Sequence, residues 1–207
     1  MTTGNDRERR VVLINGPPGT GKTTLTNLVW AKLGITTYKM NAPVVAAVKA
    51  LYNLSHESVR MIEQPDVKTE PREELYGKSY TEVQIELWRA YLVRLHGYDI
   101  IGRMAVDNWR KLGGLGMRLV VDGVADPAEL APVFKAHRPR NLLLLRTHRT
   151  GMDFGQRLGD PRRYILDDEL PSGMESVDMP KSCTLTTFKS LGADVIERWM
   201  NGGDART

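Results

Sequence analysis

The sequence predicts an α/β fold, a parallel sheet with helices packed on both faces, and three observations predict it. An apolar β-branched run, Val11–Asn15, leads through a glycine-rich turn into a helical pattern. Two more apolar runs, Met117–Val121 and Asn141–Arg146, flank a helical stretch near Pro127–Ala136. Short apolar strands alternating with helices are the mark of a sheet covered on both sides. The chain's 207 residues suit one such domain over 11–200, between a polar tail at 1–10 and a short tail at 201–207.

The elements follow in order. After the turn, a helix is expected from Lys22 to Leu33, with Leu25, Leu28, Val29 and Leu33 on one face and Gly34 as its stop. Ile35–Met40 reads as a second strand. Asn41 stands where it can cap a helix over Pro43–Leu54, whose Val44, Val48 and Leu51 share a face. The charged stretch Glu57–Lys78 has no periodicity that assigns it. Ser79 and Glu82 make a capping box ahead of a helix reaching about Leu95. Asp99 can cap the next helix, through Ile101, Met104, Ala105, Trp109 and Leu112. The strand Met117–Val121 ends at Asp122, and a last helix near Thr187–Met200 turns Phe188, Leu191, Val195, Ile196 and Trp199 inward.

Composition narrows the class without naming it. Hydrophobic residues make up 41% and charged residues 26%, the balance of a soluble globule. The single cysteine, Cys183, allows no internal disulfide. Met1–Arg10 has no apolar stretch behind it and does not read as a secretory signal, and no run is long enough to span a membrane, so a cytoplasmic location is expected. The net charge of +4 suits partners that carry phosphates, from nucleotides to DNA.

Gly16-Pro17-Pro18-Gly19-Thr20-Gly21-Lys22-Thr23 satisfies G-x-x-x-x-G-K-[ST], the phosphate-binding P-loop. Glycines let backbone amides turn toward phosphate oxygens, and the helix N-terminus behind them adds partial positive charge. Lys22 is expected on the β- and γ-phosphates, the Thr23 hydroxyl on magnesium, and Thr24 at the edge of the loop. Asp122, ending Leu119-Val120-Val121, is placed to hold the same Mg2+. ATP and Mg2+ are therefore the expected cofactors, on a P-loop NTPase fold of nucleotide-kinase type.

Hydrolase signatures are missing. The sequence has no Asn/Thr-Lys-x-Asp base motif, Asp122 at the end of its strand is followed by Gly-Val-Ala rather than by the x-x-Gly of a switch, and Gly123 stands where a motor would carry a water-activating Glu. Arg146, Arg149, Arg157, Arg162 and Arg163 cluster just after a core strand, within an arginine-, glycine- and aspartate-rich excursion over about 147–172. Arginine forks bind phosphate oxygens and stabilise transferring charge, so this excursion reads as a lid. Phosphoryl transfer fits better than hydrolysis, with Lys22, Asp122, Arg146, Arg149 and Arg157 as catalytic candidates and Arg162 on the nucleotide.

The order of P-loop, helical insert (about 41–116), Walker-B-like strand and strand-plus-lid resembles the phage deoxynucleoside monophosphate kinases. Asn41-Ala42-Pro43, Gly97-Tyr98-Asp99-Ile100-Ile101 and Trp109 resemble local pieces of the same family. Arg149-Thr-Gly151-Met-Asp-Phe154 followed by Asp160-Pro-Arg162-Arg163-Tyr164 is similar to the lid of related phage kinases that phosphorylate 5-hydroxymethyluracil within DNA. The resemblance implies a helical acceptor-binding insert and a place in the cytoplasm of an infected host; within the insert the acceptor-binding candidates are Asp99 as a base for an attacking hydroxyl, Tyr76 as a stacking face, Arg72 on DNA phosphates, and Arg103. Val45 and Thr23 depart from the residues usual in the monophosphate kinases, and both count against a free monophosphate. The acceptor expected is a hydroxymethyl group in modified DNA, with a deoxynucleoside monophosphate and an ATP hydrolase or switch as alternatives.

Overall fold

A computed structural model describes residues 10–64, 66–113, 116–154 and 162–205. Five strands form one parallel sheet: β1 (Val11–Asn15), β2 (Thr36–Lys39), β5 (Leu119–Val124), β6 (Leu142–Arg146) and β7 (Glu175–Asp178), in the order β2-β5-β1-β6-β7. The first strand is central, and the chain crosses from it to opposite sides of the sheet. That reversal opens a crevice at the carboxyl end of β1, where α/β proteins place their ligands.

Alternation along β1 builds two cores. Val11 and Leu13 point to one face and Val12 and Ile14 to the other, all fully buried. The second face is covered by α1 (Lys22–Leu33) and α8 (Leu185–Met200), through Leu25, Val29, Phe188, Ile196 and Trp199. The first face is covered by α2 (Ala42–Leu51), α3 (His56–Ile62), α4 (Tyr80–Glu86), α6 (Ile100–Leu112) and α7 (Pro127–Ala136). Gly102 lets α6 touch α7 directly: a Cβ there would lie 2.0 Å from the Glu129 carbonyl oxygen.

The insert holds most of the differences from expectation. The unassigned stretch Glu57–Lys78 is taken up by α3, which starts one residue before it and is capped by Ser55 through Ser58 N–H, and by a small antiparallel hairpin of β3 (Pro71–Arg72) with β4 (Lys78–Ser79). The Ser79/Glu82 capping box forms, and its helix runs on through a π-helical stretch, Leu87–Val93, into α5 (Arg94–His96). Asn41 and Asp99 occupy N-cap positions but make no side-chain cap bond. Leu51 is exposed because α2 ends at it rather than at Leu54, and Leu191 is exposed on the outer face of α8. Strand β5 starts two residues later than predicted and runs past Asp122 to Val124. No helix among the described residues is long and apolar enough to cross a membrane.

Candidate functional site

The phosphate loop joins β1 to α1 at the crevice. Gly19 and Gly21 have φ of 85° and 91°, a left-handed backbone that glycine adopts without strain. Gly16 is required for a different reason: a Cβ on it would lie 2.2 Å from Thr147 Oγ1. Pro17 and Pro18 carry no N–H, so the amides available to phosphate begin at Gly19 and continue through Thr20, Gly21, Lys22, Thr23 and Thr24. The two prolines therefore shape the loop rather than bind. The Thr20 hydroxyl donates to Pro17 O at 2.9 Å and pairs with Thr147 Oγ1 at 2.8 Å, so Thr20 too serves through its backbone.

Lys22 Nζ donates to Gly16 O and Pro17 O, both at 2.8 Å, which curls the side chain over its own loop. Burial lowers its pKa to about 8, partly offset by the Asp122 carboxylate. An ammonium so poorly solvated is a strong partner for a multiply charged phosphate. The Thr23 hydroxyl donates to Asp122 Oδ2 at 3.1 Å. Asp122 Oδ1 is buried without a hydrogen-bond partner among the described residues, and burial pushes this carboxyl above its usual range. An orphan acceptor beside a hydroxyl fits magnesium, which takes one or two protein oxygens and completes its octahedron with phosphates and water. Thr23 and Asp122 would hold it.

The arginines separate into distinct roles. Arg149 Nη1 donates to Gly19 O at 3.2 Å, so its guanidinium lies against the phosphate loop. Arg162 lies close enough for its charge to lower the pKa of Lys22. Arg163 is exposed and forks onto Glu169 instead, with Nη1 on Oε2 at 2.7 Å. The expectation that Arg146 would meet phosphate is corrected: the side chain is buried and committed to Asp178, Asp167 and Ile165 O. With its donors held by carboxylates and a carbonyl, it ties β6 to β7 and to the chain around Ile165 and Asp167. Arg157 lies outside the described residues.

The described parts of the excursion, 147–154 and 162–172, are tied down beside the loop. Tyr164 stacks on His148 at 4.7 Å between ring centroids, Phe154 meets Tyr164 edge-on at 5.1 Å, and Tyr164 OH donates to Thr147 O at 3.3 Å. His148 Nε2 lies 2.7 Å from Asp178 Oδ1.

The four acceptor candidates fall in two pairs. Asp99 and Arg103 bridge each other at 3.2 Å, one turn apart on α6, and Arg103 also donates to His96 O. Arg72 Nε donates to Glu74 Oε1 at 2.7 Å in the hairpin, and Tyr76 at its tip is 88% exposed, its ring 6.0 Å from that of Tyr52. None of the contacts described here links these four to Lys22 or Asp122. Trp109 is core, whereas Tyr91 is exposed.

Lys68 was not singled out for the nucleotide site by its sequence. Thr81 N–H and Oγ1 both bond to the Lys68 carbonyl, each at 3.1 Å, and the Lys68 charge acts on both Lys22 and Asp122. The insert thus adds positive charge near the phosphate site, an approach that no local pattern announces.

Residues 12–69 match the model of the ATPase family associated with various cellular activities (AAA). The matched stretch is well under half of the chain and runs from β1 and the phosphate loop to the end of α3 and the turn beyond it. Over it the chain is similar to that family. The sheet, its parallel order and the loop at the end of β1 make this a P-loop NTPase fold with a nucleotide-phosphate site.

Proposed function

We propose that the protein is an ATP-dependent kinase that transfers the γ-phosphoryl group to a deoxynucleotide-type acceptor, the hydroxymethyl group of 5-hydroxymethyluracil in DNA. The observation that carries the kinase reading is the end of β5. Asp122 reaches Thr23, and the next residue is an exposed glycine with φ of 84° rather than a carboxylate that would activate water. ATP is then held by the loop amides, by Lys22 and by Arg149 and Arg162. These cations neutralise charge as the γ-phosphoryl leaves ADP. Magnesium, when bound, would be held by Thr23 and Asp122 and would offset phosphate charge.

The DNA acceptor is supported by the lid motif and by the exposed Tyr76 beside Tyr52. A base drawn out of a duplex needs an aromatic face to stack on. Incubation with radiolabelled ATP and hydroxymethyluracil DNA, unmodified DNA, deoxynucleoside monophosphates or no acceptor tests this. Label in modified DNA is the expected result. Label confined to free nucleotides replaces the DNA reading with that of a monophosphate kinase.

The AAA match favours a second reading, ATP hydrolysis. Rapid phosphate release without any acceptor, unchanged when acceptors are added, would select it.

A further inference from the structure

Asn15 is the last residue of β1, fully buried, and every polar atom of its side chain is used. Its Nδ2 donates to Val124 O at 2.8 Å and to Arg163 O at 3.1 Å, and its Oδ1 accepts from Ile165 N at 3.1 Å. Two carbonyls on one side and one amide on the other fix which end of the side-chain amide is which. Its main-chain oxygen accepts from Thr147 N at 2.8 Å. One residue therefore joins the root of the phosphate loop to three strands of chain: the end of β5 beyond Asp122, the exit from β6, and the backbone around Arg163. A register shift between β1 and β5 makes the first of these contacts possible, because Ile14 pairs with Asp122 while Asn15 pairs with Val124.

We propose that Asn15 is a positioning residue that holds Arg162 on the triphosphate side of the phosphate loop. The proposal rests on the nucleotide reading above. Arg163 is fixed on both sides, its N–H donating to Ala125 O at 2.9 Å and its carbonyl accepting from Asn15. Arg162 is the residue immediately before this clamp, which is tied to Asn15 at the root of the phosphate loop. Without the side-chain amide, the Arg163 carbonyl and the Ile165 amide lose their partner, and the backbone that aims Arg162 is released. An aspartate at position 15 still accepts from Ile165 N but sets a carboxylate oxygen against two carbonyls.

The test is a double-mutant cycle on ATP affinity, with Asn15→Asp, Arg162→Ala and both together, titrated with a fluorescent ATP analogue alongside thermal melts. Each single change is expected to weaken binding about tenfold, the scale of a lost charge-assisted hydrogen bond. The double variant is expected to stay within about twofold of Arg162→Ala alone. A residue that merely supported the fold would lower the melting temperature in both backgrounds and leave the cycle additive. A double variant weakened by the product of the single effects overturns the proposal. So does Arg162→Ala binding within about twofold of the parent, a readout that holds even where Asn15→Asp does not fold. Failure of the parent protein to bind ATP at all would instead remove the nucleotide reading, a separate outcome.

Discussion

Arg146 and Asp178 form a two-pronged ion pair between β6 and β7, Nε on Oδ1 and Nη2 on Oδ2, each at 2.9 Å. Asp167 takes a third donor at 2.8 Å. Removing the arginine leaves two carboxylates facing each other beside the sheet. Arg146→Ala is expected to cost about 1–2 kcal/mol of stability in urea melts, because its charge-assisted hydrogen bonds are lost while both carboxylates, 68% and 54% exposed, stay solvated. Phosphate transfer per folded molecule should change little. A folded Arg146→Ala variant with turnover lowered a thousandfold would return this residue to the reaction.

Lys22 is the residue whose removal should silence the protein. Its stem packs within the loop and its ammonium touches only carbonyls, so Lys22→Ala deletes phosphate-binding charge without opening the core. Turnover should fall by at least about 1,000-fold, with the circular dichroism spectrum and melting curve kept. Full activity in this variant would remove the assignment of the loop.

Asp122→Asn keeps the shape of the side chain but halves its capacity to hold a cation. The magnesium concentration needed for half-maximal activity should rise at least about tenfold. An unchanged magnesium requirement would place the ion elsewhere.

Glu129 lies in the first turn of α7, and its Oε2 is shut away from solvent without a partner among the described residues. Burial first, then the neighbouring Asp126 charge, raises its pKa to about 8. A raised carboxyl favours the folded state while it holds its proton. Its contribution is therefore whole below about 4.5 and lost as pH rises through about 8. Urea melts at pH 5 and pH 8 should show the parent losing stability over that interval and Glu129→Gln losing less. Parallel curves for the two proteins would contradict the assignment.

What the sequence makes legible is what depends on neighbours along the chain. The phosphate loop, the capping box of Ser79 with Glu82 and the apolar strands all rest on local spacing, and helix α7 falls on its predicted limits. The misses rest on distant partners. Arg146 looks like a phosphate ligand until Asp178, 32 residues away, is seen to hold it. Asn15 reads as the end of a strand, because the groups it bonds lie 109 to 150 residues further on. Strands β3 and β4 are two residues each, too short for any periodicity to show. Ser55 caps α3 without the acidic residue three positions on that would have announced it.

The left-handed glycine after Asp122 also bears on what a change of reaction type would cost. A glutamate at position 123 would supply the carboxylate with which ATP-driven motors activate water. With φ at 84°, that backbone resists any side chain, and the peptide beyond it is already taken by Asn15 through Val124 O. A carboxylate supplied at this position would therefore carry backbone strain of about 1–3 kcal/mol, a cost in stability that comes with any gain in water activation.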